Sequence, residues 1–397
     1  TSSFTTSASG ADIVLNNENL FGGAVALNTT GSSAYATVVD ASGLDLAAST
    51  VNGNLTATAT TGNIEDSGVL TVTGNSSFTT SANNATITLN NANAFTGSVA
   101  LSTTGSSAHA TVVDASGLKL GTSTVGGNLV ATATEGDISD SGILTITGAA
   151  TFITTEATQD IILDLNNVFT TTVTMQAGDG SAAFNDITFV DSGAVNLHSE
   201  ATSNGDLFID ASTDLDVDGD LVIKANAGNI TQGSEVAVGA TSTFTTSASN
   251  GTITLNDADN AFTGAVALNT NGSSSNAIIK NDRALLLAAS SVGGALSATA
   301  TAGNITQNGV LTITGAATFI TTTNNRSIVL DQNNAFTSTV TMQAGDGSNA
   351  TFNNITFVDS AAVKLHSAAA TAGDLFINAS TDLAVGGNLS ITATTGD

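Results

Sequence analysis

The sequence predicts an all-β fold: a single-stranded parallel β-helix (β-solenoid) drawn out into an elongated rod. Three observations predict it. Phe4, Phe78 and Phe152 each open a copy of one block, 74 residues apart both times, and related blocks return at Phe244 and Phe319. Self-similarity at a fixed period marks a stacked array rather than one compact domain. Short apolar stretches alternate with Thr or Ser, as in Leu70–Thr73, Thr86–Leu89, Val99–Leu101 and Thr172–Met175, the period of a half-buried strand. Finally, the chain holds 40 Gly and no Pro. Gly at this density argues against helices, and Pro would delete a donor that a continuous ladder needs.

Two unit types follow one another without linkers. The first (FTTSAS…VALNTTGSS…TVVDASGL…GNLTATATTGNI) starts at Phe4, Phe78 and, with drift, Phe244. The second (TFITT…VTMQAGDGS…ITFVDS) starts at Phe152 and Phe319. The expected organisation is one continuous solenoid over residues 1–397, with sub-repeats 1–77, 78–151, 152–243, 244–318 and 319–397. Beads of antiparallel sandwiches would need linkers. With a coil of ~18 residues, a period of 74 divides into about four coils and the chain into about 22, a rod of roughly 105 Å. Val, Ile, Leu, Ala and Phe point inward and stack like on like, while Thr points outward. Asn at turns stacks into side-chain ladders. Asn16, Asn90, Asn166 and Asn333, with Gly62, Gly136, Gly228 and Gly303, mark turns that need left-handed backbone. The last repeat stops after TATTG, where an earlier one runs on through Asn63 into Ile64, so the chain reads as an excerpt of a longer one.

Composition narrows the function. Net charge is -27, from 6 Lys+Arg against 33 Asp+Glu. Six scattered cations cannot neutralise a phosphate track, so nucleic acid is excluded as a partner, as is an anionic membrane surface. No apolar run is long enough for a spanning helix. There is no Cys, hence no disulfide or thiolate chemistry.

The segments Gly53–Ile64 (GNLTATATTGNI), Ile87–Leu101 (ITLNNANAFTGSVAL) and Gly309–Phe319 (GVLTITGAATF) resemble the repeats of large filamentous-haemagglutinin-like adhesins. Those proteins leave bacteria by two-partner secretion. The likeness covers essentially the whole chain at the level of the repeat. It implies a right-handed β-helix, secreted or at the bacterial cell surface, acting as a structural or adhesive rod without catalysis. The partners it implies are further repeats or like subunits end to end, surface glycans, and neighbouring cell surfaces. The amino-terminal domain that directs export in that family is not in this chain.

Local candidates are few. Asp214, Asp216, Asp218 and Asp220 alternate along one stretch that also holds Gly219, like the first half of a Ca²⁺ loop. Position twelve of such a loop is Ala225 rather than Glu, and the second copy keeps only Asp382. A solvated acidic strand face accounts for the same residues, and no other cofactor is expected. AGDGS at Ala177–Ser181 and Ala344–Ser348 reads as a Gly-Asp-Gly turn. His109, His198 and His366 are far apart, and His109 replaces Tyr35 at the same repeat position. A polysaccharide-cleaving site would need a basic residue beside a carboxylate pair, and the arginines Arg283 and Arg326 have no counterparts in other copies. Thr-x-Thr at Thr71, Thr86, Thr145, Thr252 and Thr312 is too irregular for an ice-ordering rank. Asn-x-Ser/Thr at Asn28, Asn84, Asn229 and Asn354 reads as turn chemistry.

Overall fold

A computed structural model of the chain describes residues 1–178, 185–198, 206–209, 215–346, 354–361, 364–366, 374–377 and 389–393. Every element among them is a strand, and the strand pairings are parallel, as in Ser2 with Val25 or Ala36 with Leu55. The chain is a parallel β-solenoid. It forms two compact units, residues 1–192 with 201–208, and residues 193–200 with 209–397.

In the first unit each coil crosses two sheets. The first sheet takes Ser2–Thr5, then Val25–Asn28, then the broken pair Leu44–Leu46 and Ser49–Val51. The second takes Ile13–Asn19, Ala36–Asp40, Leu55–Ala59 and Ser76–Asn83. Alternation dictates this arrangement. In Leu55–Ala59 the residues Leu55, Ala57 and Ala59 are buried while Thr56 and Thr58 face out, so one sheet face closes the core and the other carries hydroxyls. In the second unit, Leu221–Ala225, Ser242–Ser249 and Ala265–Asn271 stack in one sheet. Ile253–Leu255, Ala277–Asn281, Leu296–Ala300 and Ala317–Thr321 stack in a second, and Leu215–Val217, Val236–Val238 and Ala261–Phe262 form a small third.

The coil is longer than expected. It takes 19 residues from Ala36 to Leu55, 23 from Ser2 to Val25 and 26 from Ile161 to Ile187. A 74-residue repeat therefore spans three and a half coils, not four. Phe4 sits in the first sheet, Phe78 in the second and Phe152 in the first again. Successive copies of one sequence thus build opposite walls of the same core.

That phase also limits the expected like-on-like stacking: Ile138, Ile161 and Ile187 do stack in one column, but the opening Phe residues do not stack on one another. Phe78 lies between Ala57 and Leu101, and Phe152 between Ala131 and Met175. An alanine one coil back leaves room for the ring, which is fully buried at Phe78 and Phe152. Each opening Phe meets a second Phe across the core, edge to face: Phe4 with Phe21 at 5.8 Å, Phe78 with Phe95 at 6.0 Å, Phe244 with Phe262 at 5.9 Å. Such pairs add to what area burial provides.

Turn chemistry differs from expectation in two ways. Asn16, Asn90, Asn166 and Asn333 lie inside long strands such as Ile87–Phe95, beside the register shift between Leu89 and Asn93. They mark a bulge, which bends the strand. Of the four glycines, Gly228 alone takes positive φ, at 93°. Gly62 is needed for space instead: a Cβ there would lie 2.6 Å from the Gly43 nitrogen one coil back. Asn side chains do form ladders, but with the backbone. Asn54 Oδ1 accepts the Asn75 N–H at 2.9 Å, and Asn75 Oδ1 accepts the Ser98 N–H at 3.0 Å. Where a coil breaks into two short strands, a buried serine mends the ladder: Leu27 N–H donates to Ser49 Oγ and Leu101 N–H to Ser123 Oγ, both at 3.0 Å.

Candidate functional site

Every repeat buries a polar ladder at the corner where its long strand bends. Asn93 is fully buried; its Oδ1 accepts the Leu70 N–H at 2.8 Å and its Nδ2 donates to Asp66 Oδ2 at 2.7 Å. Asp66 also accepts the N–H groups of Asn90 at 2.9 Å and Asn91 at 3.3 Å. One coil on, Asp114 accepts from Phe95 N–H at 3.3 Å and from the N–H and hydroxyl of Ser116 at 3.0 Å. The bulge frees backbone donors from the strand ladder, and these side chains satisfy them. An unpaired buried N–H would cost about 1–3 kcal/mol.

The same ladder returns as Asp140–Asn167–Asp191. Asn167 receives the Leu144 N–H at 2.8 Å and donates to Asp140 at 2.7 Å. In the second unit the carboxylates give way to amides. Asn260 exchanges hydrogen bonds with Gln232 at 2.8 and 2.9 Å and receives the Val236 N–H at 2.9 Å, while Asn281 receives the Phe262 N–H at 2.9 Å. Gln307 and Asn334 repeat that pairing at 2.8 and 2.9 Å, followed by Asp359, which receives the Phe336 N–H at 3.3 Å. Burial pushes the carboxyls of Asp114, Asp140 and Asp359 above the ordinary aspartate range, against hydrogen bonds that lower them. At Asp140 the nearby Asp164 carboxylate adds a smaller push in the same direction.

The outer faces carry the second recurring feature. On the second sheet of the first unit, Thr58, Thr79, Ser102, Thr124 and Thr145 stand in register on successive coils. A partner column runs through Thr37, Thr56 and Ser77. In the second unit Thr231 and Thr254 continue through Ile278 and Ser297 to Thr318 and Thr341. Hydroxyls therefore rank one per coil from Thr58 to Thr145, while Ile278 interrupts the second unit's column. A search for Thr-x-Thr triplets misses them because each column mixes Thr with Ser and draws each member from a different motif; outward positions in period-two strands one coil apart would have found them.

The acidic stretch singled out from the sequence lies only partly within the described residues. Asp214 lies outside the described residues, and Asp216 lies on strand Leu215–Val217, whose side chain at that position is not described. Asp218 is exposed. Asp220 Oδ1 accepts the N–H and hydroxyl of Thr241, both at 2.7 Å, which is coil-to-coil turn chemistry. Among the described residues no three His, Cys, Asp or Glu side chains converge as metal ligands. His109 supports the backbone of the next coil, where its Nδ1 accepts the Asn128 N–H at 2.9 Å. The side chains of His198 and His366 are outside the described residues. In AGDGS, Gly178 and Gly345 have φ of 118° and 126°, and their N–H groups donate to Thr154 and Thr321 at 2.6 and 2.7 Å, as a glycine turn requires. Arg283 forks onto its neighbour Asp282 at 2.6 and 3.2 Å.

Residues 33–102, 107–176, 185–269 and 274–343 match the model of a family described as repeats of unknown function (DUF5649). The chain belongs to that family. The first two windows of the family start at Ser33 and Ser107, in the turn before strands Ala36–Asp40 and Ala110–Asp114, so a family unit also begins on alternate sheets. No curated protein and no solved structure matches the chain. Among the described residues no helix is long and apolar enough to cross a membrane.

Proposed function

We propose that this chain is a non-catalytic structural or adhesive segment of a large secreted or cell-surface repeat protein. The single observation that carries the reading is the distribution of chemistry over the coils. The repeats commit their buried carboxyl and amide groups to the corner ladder, where Asp66 and Asn93 bind backbone N–H groups and one another. Its solvent face is a rank of small hydroxyls at one spacing, Thr58 to Thr145. A surface repeated coil after coil suits contact along a length, with surface glycans or a neighbouring cell as partner. A unique reaction centre would instead concentrate perturbed groups in one cleft. The resemblance to filamentous-haemagglutinin-like repeats supports export, and the low cation count, 6 Lys+Arg, suits a surface that resists nucleic acid and anionic lipid.

Electron microscopy of the purified chain, with binding of fluorescently tagged protein to bacterial and eukaryotic cells, tests this. Single rods whose length grows when a repeat is inserted, together with saturable cell binding, are the expected result. Continuous fibres from the purified chain would favour a self-assembling extracellular filament instead. Turnover of a polysaccharide would overturn the reading.

A further inference from the structure

We propose that the corner ladder is an acid-tightened latch: neutralising the buried carboxyls of Asp114 and Asp140 strengthens the stacked corner of the first unit, whereas the amide corner at Gln232–Asn260–Asn281 gains nothing. The geometry carries this. Asp114 is fully buried and Asp140 is 9% exposed. No cation pairs with either among the described residues; the partners are the Asn167 amide, the Ser116 hydroxyl and the backbone N–H groups of Phe95, Ser116, Asp164 and Leu165. Burying an ionised carboxylate without a counter-charge is costly, and hydrogen bonds offset only part of the cost.

Gln232 and Gln307 stand twelve residues before Phe244 and Phe319, where Asp66 and Asp140 stand twelve before Phe78 and Phe152. Gln232 Oε1 accepts from Asn260 at 2.9 Å and from the Asp257 N–H at 3.3 Å, much as Asp140 accepts from Asn167 at 2.7 Å and the Asp164 N–H at 3.1 Å. A neutral group therefore performs the capping, and the first unit's charge is surplus to it. In the second unit Asp359 is the one carboxyl among the described corner residues from Gln232 to Asp359.

The sign follows from burial. The folded-state carboxyls of Asp114 and Asp140 lie above their unfolded values. Their contribution to stability is fully present below the unfolded value and is lost as pH rises through the folded one. The charged group acting on Asp140 is Asp164, one coil on, which works in the same direction; Asp114 feels burial and the hydrogen bonds of Ser116 and Phe95. Acid also relieves the general repulsion of a chain at -27, so the test must separate a buried charge from an exposed one.

The experiment is thermal unfolding of the full chain at pH 7 and pH 5, with amide hydrogen exchange over residues 87–146. Asp114→Asn with Asp140→Gln copies the second unit's chemistry; Asp12→Asn removes an exposed charge. Wild type is expected to melt higher at pH 5 than at pH 7, with exchange in 87–146 slowed beyond the intrinsic pH effect. The double variant is expected to start higher at pH 7 and to lose most of that dependence, while Asp12→Asn keeps it. Should the double variant fold poorly, Gln307→Asp provides the reverse test: a lower Tm at pH 7, recovered at pH 5. An unchanged pH slope in the double variant, or a pH-independent loss in Gln307→Asp, would overturn the proposal.

Discussion

The corners at Asn167 and Asn260 do the same job with different electrostatics. Both asparagines are fully buried, and both accept a backbone N–H from the preceding coil, Leu144 at 2.8 Å and Val236 at 2.9 Å. Asn167 leans on the carboxylate of Asp140; Asn260 shares two bonds with the amide of Gln232. The shared geometry shows what the fold requires there, an acceptor for donors released by the bulge. The difference shows that a charge at that corner is optional.

The sharpest way to separate the two corners is to remove the asparagine from each. Asn167→Leu orphans the Leu144 N–H and takes a donor from the buried Asp140 carboxylate, so a loss of about 3–5 kcal/mol is expected. Asn260→Leu leaves only neutral groups unpaired and is expected to lose about 1–3 kcal/mol. Chemical denaturation of both variants measures the gap. Equal losses would mean that charge at the corner carries no energetic weight.

How much of this could be read from the sequence depends on the range of the signal. Strand character was legible, because Leu55-Thr-Ala-Thr-Ala59 shows its period within five residues. Coil length was not, since 74 residues divide as readily into four short coils as into three and a half long ones, and only the pairing of Phe78 with Ala57 and Leu101 decides. The like-on-like expectation holds for the column Ile305, Ile328 and Ile355 and fails for the opening Phe residues for the same reason: a half-coil phase never puts one over the next. The ladder was hidden because Asp66 and Asn93 are 27 residues apart and each looks locally like turn chemistry. Its trace is the polar residue kept twelve positions before Phe78, Phe152, Phe244 and Phe319 as Asp, Asp, Gln and Gln.

An outer turn offers a second, smaller contrast. In the first unit Asp137 Oδ1 accepts the Asp160 N–H at 2.9 Å, and Asp160 Oδ1 accepts the Asp186 N–H at 3.1 Å. The second unit caps the matching turn with Asn304, which accepts the Ser327 N–H at 2.9 Å. Burial, then the neighbouring carboxylates of Asp186 and Asp137, raise the Asp160 carboxyl, partly offset by the hydrogen bond from Asp186. Its stabilising contribution is thus present at low pH and lost as pH rises through the raised value. Asp160→Asn is expected to raise Tm at pH 7 by no more than about 2 °C, because the site is largely solvated, and to leave Tm unchanged at low pH. A drop at pH 7 would mean that the carboxylate itself holds the turn.

The weakest expected effect tests whether any acidic stretch binds cations beyond simple screening. A chain at -27 repels itself, and ions relieve that repulsion. Millimolar Ca²⁺ or Mg²⁺ is therefore expected to raise Tm slightly over chelator, with NaCl at equal ionic strength as the reference. If Ca²⁺ outperforms both Mg²⁺ and NaCl, and Asp218→Asn with Asp216→Asn removes the excess, the stretch around strand Leu215–Val217 binds the ion. The bond from Thr241 to Asp220 argues for the other outcome. That carboxylate already serves its neighbouring coil, as the Asn54 amide does elsewhere, and a cation would have to displace those donors. Equal responses to all three salts are expected, which would make acidity here a property of the whole surface rather than of one site.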